Sequence, residues 1–114
     1  MVKMDCLFCK FAKKEIPLDL VYESENLFAI NDIDPKAPTH VLVIPKRHFE
    51  NAPELAELEP QTIAEIFEVA KQIAADRGLD SFRSVFNTGA GAGQSVFHAH
   101  LHLLGGRKFA WPPG

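Results

Sequence analysis

Ser95-Val96-Phe97-His98-Ala99-His100-Leu101-His102-Leu103-Leu104 alternates imidazoles with apolar side chains along its centre. A period of two is the signature of a β-strand, whose successive side chains point to opposite faces. A strand over 95–104 turns Phe97, Ala99, Leu101 and Leu103 toward a core and puts His98, His100 and His102 together on the other face. Neighbouring rings would then stand roughly 6.6–7 Å apart along the chain. Gly105-Gly106 breaks the strand, and the proline-rich tail 108–114 has no regular pattern.

Working upstream, the glycine-rich loop 89–93 precedes this strand, and a short strand over 84–87 precedes the loop. A helix is expected over 60–77, with Pro60 at its first position and Gly78 at its C-terminal end. Its apolar stripe is Ile63, Ile66, Phe67, Ala70, Ile73 and Ala74. The β-branched run 39–44 reads as a strand ended by Pro45, and the turn 34–38 before it carries two prolines. Runs 19–23 and 27–33, joined by Ser24-Glu25-Asn26, read as a hairpin. A first, short helix is expected over 5–15, capped by Asp5 and stopped by Ile16-Pro17, with Leu7, Phe8 and Phe11 on one face. Strands joined by turns with few helices between them give an α+β fold, an antiparallel sheet with helices packed on one side.

The chain has 114 residues, enough for a single domain spanning 1–114. With 46% hydrophobic residues, nine of them Phe, it can bury a core, and with 24% charged residues it reads as globular. Its net charge of −3 leaves no basic footprint, which argues against nucleic acid as a partner. Apolar runs of about five residues, such as 41–44, are too short to span a membrane. No apolar leader opens the sequence, so a cytoplasmic location is expected. The acidic stretch 50–59 reads as a solvated face.

Three imidazoles on one face serve no evident packing purpose. Either they share a metal, as in a hydrolytic zinc site, or one neutral ring is a nucleophile held in one tautomer by a neighbour. The glycine loop favours the second, since its backbone N–H groups can turn toward an anion, with Gln94 and Ser95 adding donors. Phosphate binding beside a nucleophile points to attack on phosphorus. Cys6-Leu7-Phe8-Cys9 reads as a redox pair, as two inert helix residues, or as half of a tetrahedral zinc site completed by histidines. No strand precedes the pair as a thioredoxin-like motif requires.

His98-Ala99-His100-Leu101-His102-Leu103-Leu104 resembles the histidine-triad pattern, His-φ-His-φ-His-φ-φ with φ apolar. The likeness extends to Lys14-Glu15-Ile16-Pro17, Ala37-Pro38-Thr39-His40, Val43-Ile44-Pro45-Lys46, Asn87-Thr88-Gly89, Gly93-Gln94-Ser95 and Leu104-Gly105-Gly106-Arg107. The ending Trp111-Pro112-Pro113-Gly114 is similar to the Hint branch, the histidine-triad nucleotide-binding proteins. The resemblance implies a five-stranded antiparallel sheet with one long and one short helix, pairing into a homodimer. It implies hydrolysis of purine nucleoside 5′-phosphoramidates to a nucleoside monophosphate and an amine. A Fhit-type dinucleoside polyphosphate hydrolase and a nucleotide-binding scaffold with incidental hydrolysis are the alternatives.

By the same resemblance His100 is the nucleophile, His102 and Ser95 contact the phosphate and leaving group, and His40 relays a proton. Asn87, Gly93 and Gln94 line the phosphate site, Asp32 accepts from the ribose hydroxyls, and Ile33, Phe8 and Ile30 surround the base. Trp111 belongs to a tail that in such proteins lies near the partner protomer's site. Relatives in the wider superfamily pair a Cys-x-x-Cys with two histidines around a structural Zn2+, which here would be Cys6, Cys9, His48 and His98. The commonest Hint pattern lacks those cysteines. With His98 on zinc, the chemistry would fall to His100 and His102, and catalysis itself would need no metal.

Overall fold

A computed structural model describes residues 6–114, so the expected Asp5 cap lies outside the described residues. The first helix, α1, is Leu7–Ala12. Cys6 caps it, its Sγ accepting the Cys9 N–H at 3.2 Å. It is shorter than expected: the chain leaves the helix at Lys13, and Lys14 takes φ +60 before Pro17 is reached.

The hairpin forms from β1, Tyr22–Glu23, and β2, Leu27–Asn31, with Tyr22 opposite Ala29. β3 follows as Thr39–Pro45 and is buried along its whole length. Two helices come next: α2, Ala52–Leu58, and α3, Pro60–Asp76. Then come β4, Phe82–Val85, and β5, Leu101–Gly105, with a 3₁₀ turn at Ala90–Ala92 between them. The five described strands form one antiparallel sheet in the order β1-β2-β3-β5-β4.

Alternation sorts the sheet into two cores. Leu27, Ala29, Val41, Val43, Leu101 and Leu103 face α3 and pack with Phe49, Leu55, Ile66, Val69, Ala70 and Ile73. Phe28, Ile30, Leu42 and Ile44 face the other way, against Phe8, Cys6 and Cys9 of the α1 region. Helices therefore cover both faces, which corrects the one-sided packing expected from the sequence. The first helix is small, but its Phe8 and cysteines are apolar enough to close the second face.

The acidic stretch 50–59 is mostly α2, a helix the sequence reading passed over. Asn51 caps it, accepting the Glu54 N–H at 3.0 Å, and Leu55 anchors it in the core. Truncating such a fully buried leucine to alanine costs about 2–5 kcal/mol. In α3 the buried stripe is centred on Ile66, Val69, Ala70 and Ile73, so Val69 goes inward and Phe67 stays 46% exposed.

β5 begins at Leu101 rather than at 95. Extending the β3–β5 register past Val43↔Leu101 would set Ala99 opposite Pro45, which has no N–H to give. The Ala99 N–H instead donates to the Phe49 carbonyl at 2.7 Å. Alternation of the side chains survives: Ala99, Leu101 and Leu103 enter one core and the three rings face the other side.

Candidate active site

His100 is held at both ends of its environment. Its Nδ1–H donates to the His98 carbonyl at 2.7 Å, which leaves Nε2 with a free lone pair. The edge of Phe8 meets the ring at a centroid distance of 5.0 Å. Burial pushes its pKa below 6.5, outweighing the pull of the His98 carbonyl and Asp32, so the ring is neutral and nucleophilic at neutral pH.

His102 stands next to it, ring centroids 4.9 Å apart. Its tautomer follows from a chain of contacts that starts in the turn before β3. The Lys36 N–H donates to His40 Nδ1 at 3.0 Å, so His40 carries its proton on Nε2. That Nε2–H donates to His102 Nδ1 at 2.9 Å, with Asp32 Oδ2 at 3.4 Å. His102 must then bear its proton on Nε2, as a donor. Burial, reinforced by the neighbouring His100 and His40, pushes His102 down to about 4. Burial likewise lowers His40, against the opposing pull of Asp32.

These tautomers bear on the alternative of a hydrolytic metal. Ligand atoms of Asp32, His40 and His102 lie within 4.8 Å of one another. The atom of His40 facing the others is Nε2, whose proton is fixed by the Lys36 N–H on the far nitrogen. A cation there would have to drive the His40 proton onto Nδ1, against the Lys36 N–H. The donor set suits proton relay better than metal binding.

A cavity of about 290 Å³ opens onto His100 and His102. Phe8, Phe11, Leu18, Ile30 and Leu42 give it an apolar wall, and Asp32 and Ser95 flank the polar end. Ile33 sits on its rim, 98% exposed. Asp32 is used twice: Oδ1 accepts the Asp34 N–H at 2.9 Å in an Asx turn, and Oδ2 faces His40. The turn-forming reading of this residue therefore holds, and its second oxygen faces the histidines.

The glycine loop is built differently from the expectation. The N–H groups of Gly89, Ala92, Gly93 and Gln94 are all taken by partners within 89–94, so they are not aimed at an anion. Gln94 is buried and spends its amide on the backbone, accepting from Gly89 N–H and donating to the carbonyls of Glu50 and Val96. It shapes the loop rather than offering a free donor. Asn87 is half-buried beside Gly93, whose φ of +95 suits glycine. Ser95 is exposed at the mouth of the cavity.

Behind His100 lies the second cluster. Cys6 Sγ is 3.2 Å from His98 Nδ1, Cys9 Sγ is 3.3 Å from His48 Nδ1, and the two Nδ1 atoms are 3.3 Å apart. A tetrahedral zinc with ordinary bond lengths puts two nitrogens about 3.3 Å apart and a sulfur and nitrogen about 3.6 Å apart. The ligand atoms thus fit a single ion within a few tenths of an ångström. His98 donates Nε2–H to the Pro45 carbonyl at 2.7 Å, which frees Nδ1 as a ligand. Burial pushes the Cys6 thiol up to about 11, so a metal must displace a firmly held proton.

Sequence reading missed the groups that act through their backbone. The Lys36 N–H and the Pro45 carbonyl each fix a tautomer, and no side-chain pattern signals either one. Of the cavity wall, Phe11 was legible only as part of a helix face and Leu42 as part of a strand, while Leu18 carried no sequence signal.

Residues 13–109 match the HIT domain family. This chain is a HIT protein. It is 46% identical to an uncharacterized HIT-like protein of Synechocystis, with 96% of this chain and 97% of the relative covered. It is 47% identical to a 14 kDa zinc-binding protein of Zea mays, over 95% and 87% of the two chains. Among solved structures, a HIT family hydrolase from Legionella pneumophila superposes with a TM-score of 0.92 at 47% identity, covering 96% and 100%. The α+β architecture of this HIT protein is shared with that structure. The Cys/His cluster is compatible with Zn2+, as the maize relative's name suggests for that protein. No helix among the described residues is long and apolar enough to cross a membrane.

Proposed function

We propose that this HIT protein is a hydrolase of purine nucleoside 5′-phosphoramidates, of the Hint type, working through a nucleotidyl-histidine. One observation carries the reading: His100 gives its Nδ1–H to a backbone carbonyl and keeps Nε2 open at the polar end of an apolar cavity. His100 Nε2 attacks phosphorus, a P–N bond to the ring forms, and the P–N bond to the amine breaks. The departing nitrogen takes a proton from the His102 and His40 relay, assisted by Ser95. Water then attacks phosphorus and returns a proton to the relay, the ring nitrogen leaves with its electron pair, and a nucleoside monophosphate is released. Phe8, Ile30 and Ile33 take the base, Asp32 the ribose hydroxyls, and Asn87 and Gly93 border the phosphate. Gln94 supports that border by holding the loop.

Cys6, Cys9, His48 and His98 would hold a structural zinc, which joins α1 to the sheet and supplies no step of the reaction. The thiols must be reduced to serve, which fits a cytoplasmic location. The single domain 1–114 is proposed to act as a homodimer. Turnover of adenosine 5′-phosphoramidate quenched in alkaline denaturant, where a P–N adduct survives, should show a nucleotidyl adduct on His100 by mass spectrometry. A clear preference for a diadenosine polyphosphate, or full turnover by His100→Ala, would overturn the assignment.

A further inference from the structure

The proton relay starts from an exposed turn, and something must hold that turn. Lys36 presents its N–H to His40 Nδ1, yet its side chain makes only a surface ion pair with Asp34. Such a pair is worth little. Pro35 and Pro38 have no N–H to contribute. The grip comes from the chain just beyond β5. Arg107 Nε–H donates to the Lys36 carbonyl at 2.9 Å, so one residue of the turn is fastened on both of its peptide groups. Gly106 lies flat against Pro38: a Cβ there would come within 2.9 Å of Pro38 Cβ. Arg107 is itself fixed. Its guanidinium lies 4.2 Å from the Phe109 ring centroid and its Nη1–H donates to the Lys108 carbonyl. Phe109 also takes Arg83 of β4 at 5.0 Å, and Arg83 Nη2–H donates to the Ala110 carbonyl.

From this arrangement we infer that Arg107, braced by Phe109 and Arg83, is a positioning residue for the His40–His102 relay. The C-terminal segment thereby sets the tautomer of His40. Its kinetic consequence rests on the hydrolase reading; its structural consequence does not. Without the Lys36 N–H, His40 Nδ1 no longer needs to be bare, and only the acceptors at Nε2 oppose a move of the proton. The alternative tautomer turns a bare Nε2 toward His102 Nδ1 and Asp32 Oδ2, three acceptors facing one another. His102 can relieve this only by moving its proton to Nδ1, which removes the Nε2–H donor from the cavity.

Long-range ¹H–¹⁵N spectra of the imidazoles, recorded on the full nucleotide-free chain, read the tautomers directly. In the wild type His40 should show Nδ1 bare and Nε2 protonated, and His102 the same. Arg107→Ala should move His40 and His102 toward a tautomer mixture while His98 and His100 hold their pattern. Arg107→Lys, whose ammonium can still reach the Lys36 carbonyl, should restore part of the wild-type pattern. Phe109→Leu should give an intermediate shift and serves as the probe if Arg107→Ala folds poorly. In turnover, Arg107→Ala should lower kcat by about ten- to a hundredfold with KM little changed. Unchanged His40 signals in both Arg107→Ala and Phe109→Leu overturn the inference, as does a loss confined to KM. If wild-type protein turns over no phosphoramidate, the hydrolase reading falls, and the spectra still decide the positioning role.

Discussion

At His100 two groups compete for the ring: the His98 carbonyl, which holds Nδ1–H, and whatever enters the cavity at Nε2. Replacing the ring by alanine removes the proposed nucleophile and leaves the apolar wall of Phe8, Ile30 and Leu42 in place. Turnover should therefore drop by about 10³-fold or more, as for other nucleophile deletions. Purine nucleotide affinity, followed by calorimetry, should stay within a few-fold; loss of both together would mean that the variant has lost its fold. A second prediction concerns protons. His102 sits at about 4 in the folded chain, against an ordinary 6.5, with burial as the main cause. Between those values the unfolded chain takes up a proton that the folded chain refuses, so stability falls as pH drops through that window and is unaffected above it. One such ring contributes a slope of at most about 1.4 kcal/mol per pH unit. Urea midpoints measured near neutrality and near about pH 5 should show that fall. His102→Asn should show a shallower one; equal slopes would refute the depressed value.

Between α1 and the sheet, the side chains of Cys6, Cys9, His48 and His98, the proposed zinc ligands, bring together segments some ninety residues apart in sequence, Cys6 with His98. Ligand linkage gives about 4 kcal/mol of added stability when free zinc is a thousandfold above its dissociation constant. A strong chelator should remove that increment and so lower the melting temperature of the wild type. The Cys6→Ser/Cys9→Ser double variant should melt low and respond to neither zinc nor chelator, and elemental analysis should find close to one zinc per wild-type chain. At the far end of β5, Gly106→Ala must fit a Cβ against Pro38 at φ +92, and should destabilise by roughly 1–3 kcal/mol. Elements with a strong period were readable from sequence: β2, β3 and α3 lie within a few residues of their expected bounds. The histidine run gave the right faces but too long a strand, because Pro45 cannot pair with Ala99 and periodicity does not report a missing N–H. α2 was overlooked because Leu55 is its one buried residue, although Asn51 and Glu54 at its start carried a capping signal. The glycine loop shows the same limit: its Gly89 N–H is taken by Gln94, whose other partners lie in the backbone, and no sequence pattern reports that.

Seen from outside, the molecule is least finished along β4. Among the described strands, it pairs with β5 on one side only and forms an edge of the sheet. Phe82 lies opposite Gly105, and Ser84 opposite Leu103, which faces α3, so Phe82 shares the α3 side of the sheet. On that side Phe67 of α3 packs edge-on to Phe86 at 6.1 Å. Phe67 and Phe82 remain 46% and 42% exposed. A monomer gains nothing from two large aromatics beside an open strand edge, whereas a second copy could bury both. The proposed homodimer should therefore use this surface, and light scattering should give twice the chain mass of 12.7 kDa. Phe82→Glu or Phe67→Glu places a charge in that contact and should yield monomer at micromolar concentration, with far-ultraviolet circular dichroism unchanged. A wild type that scatters as a monomer removes the proposal, and so does a dimer that survives both substitutions. If dimers form, the Trp111 side chain, 82% exposed on a tail fastened through Phe109 to Arg83 of β4, is carried on the strand that borders the contact. Breaking the dimer should then alter turnover of bulky amine leaving groups more than that of the unsubstituted phosphoramidate, because only the former extend beyond the cavity of one protomer.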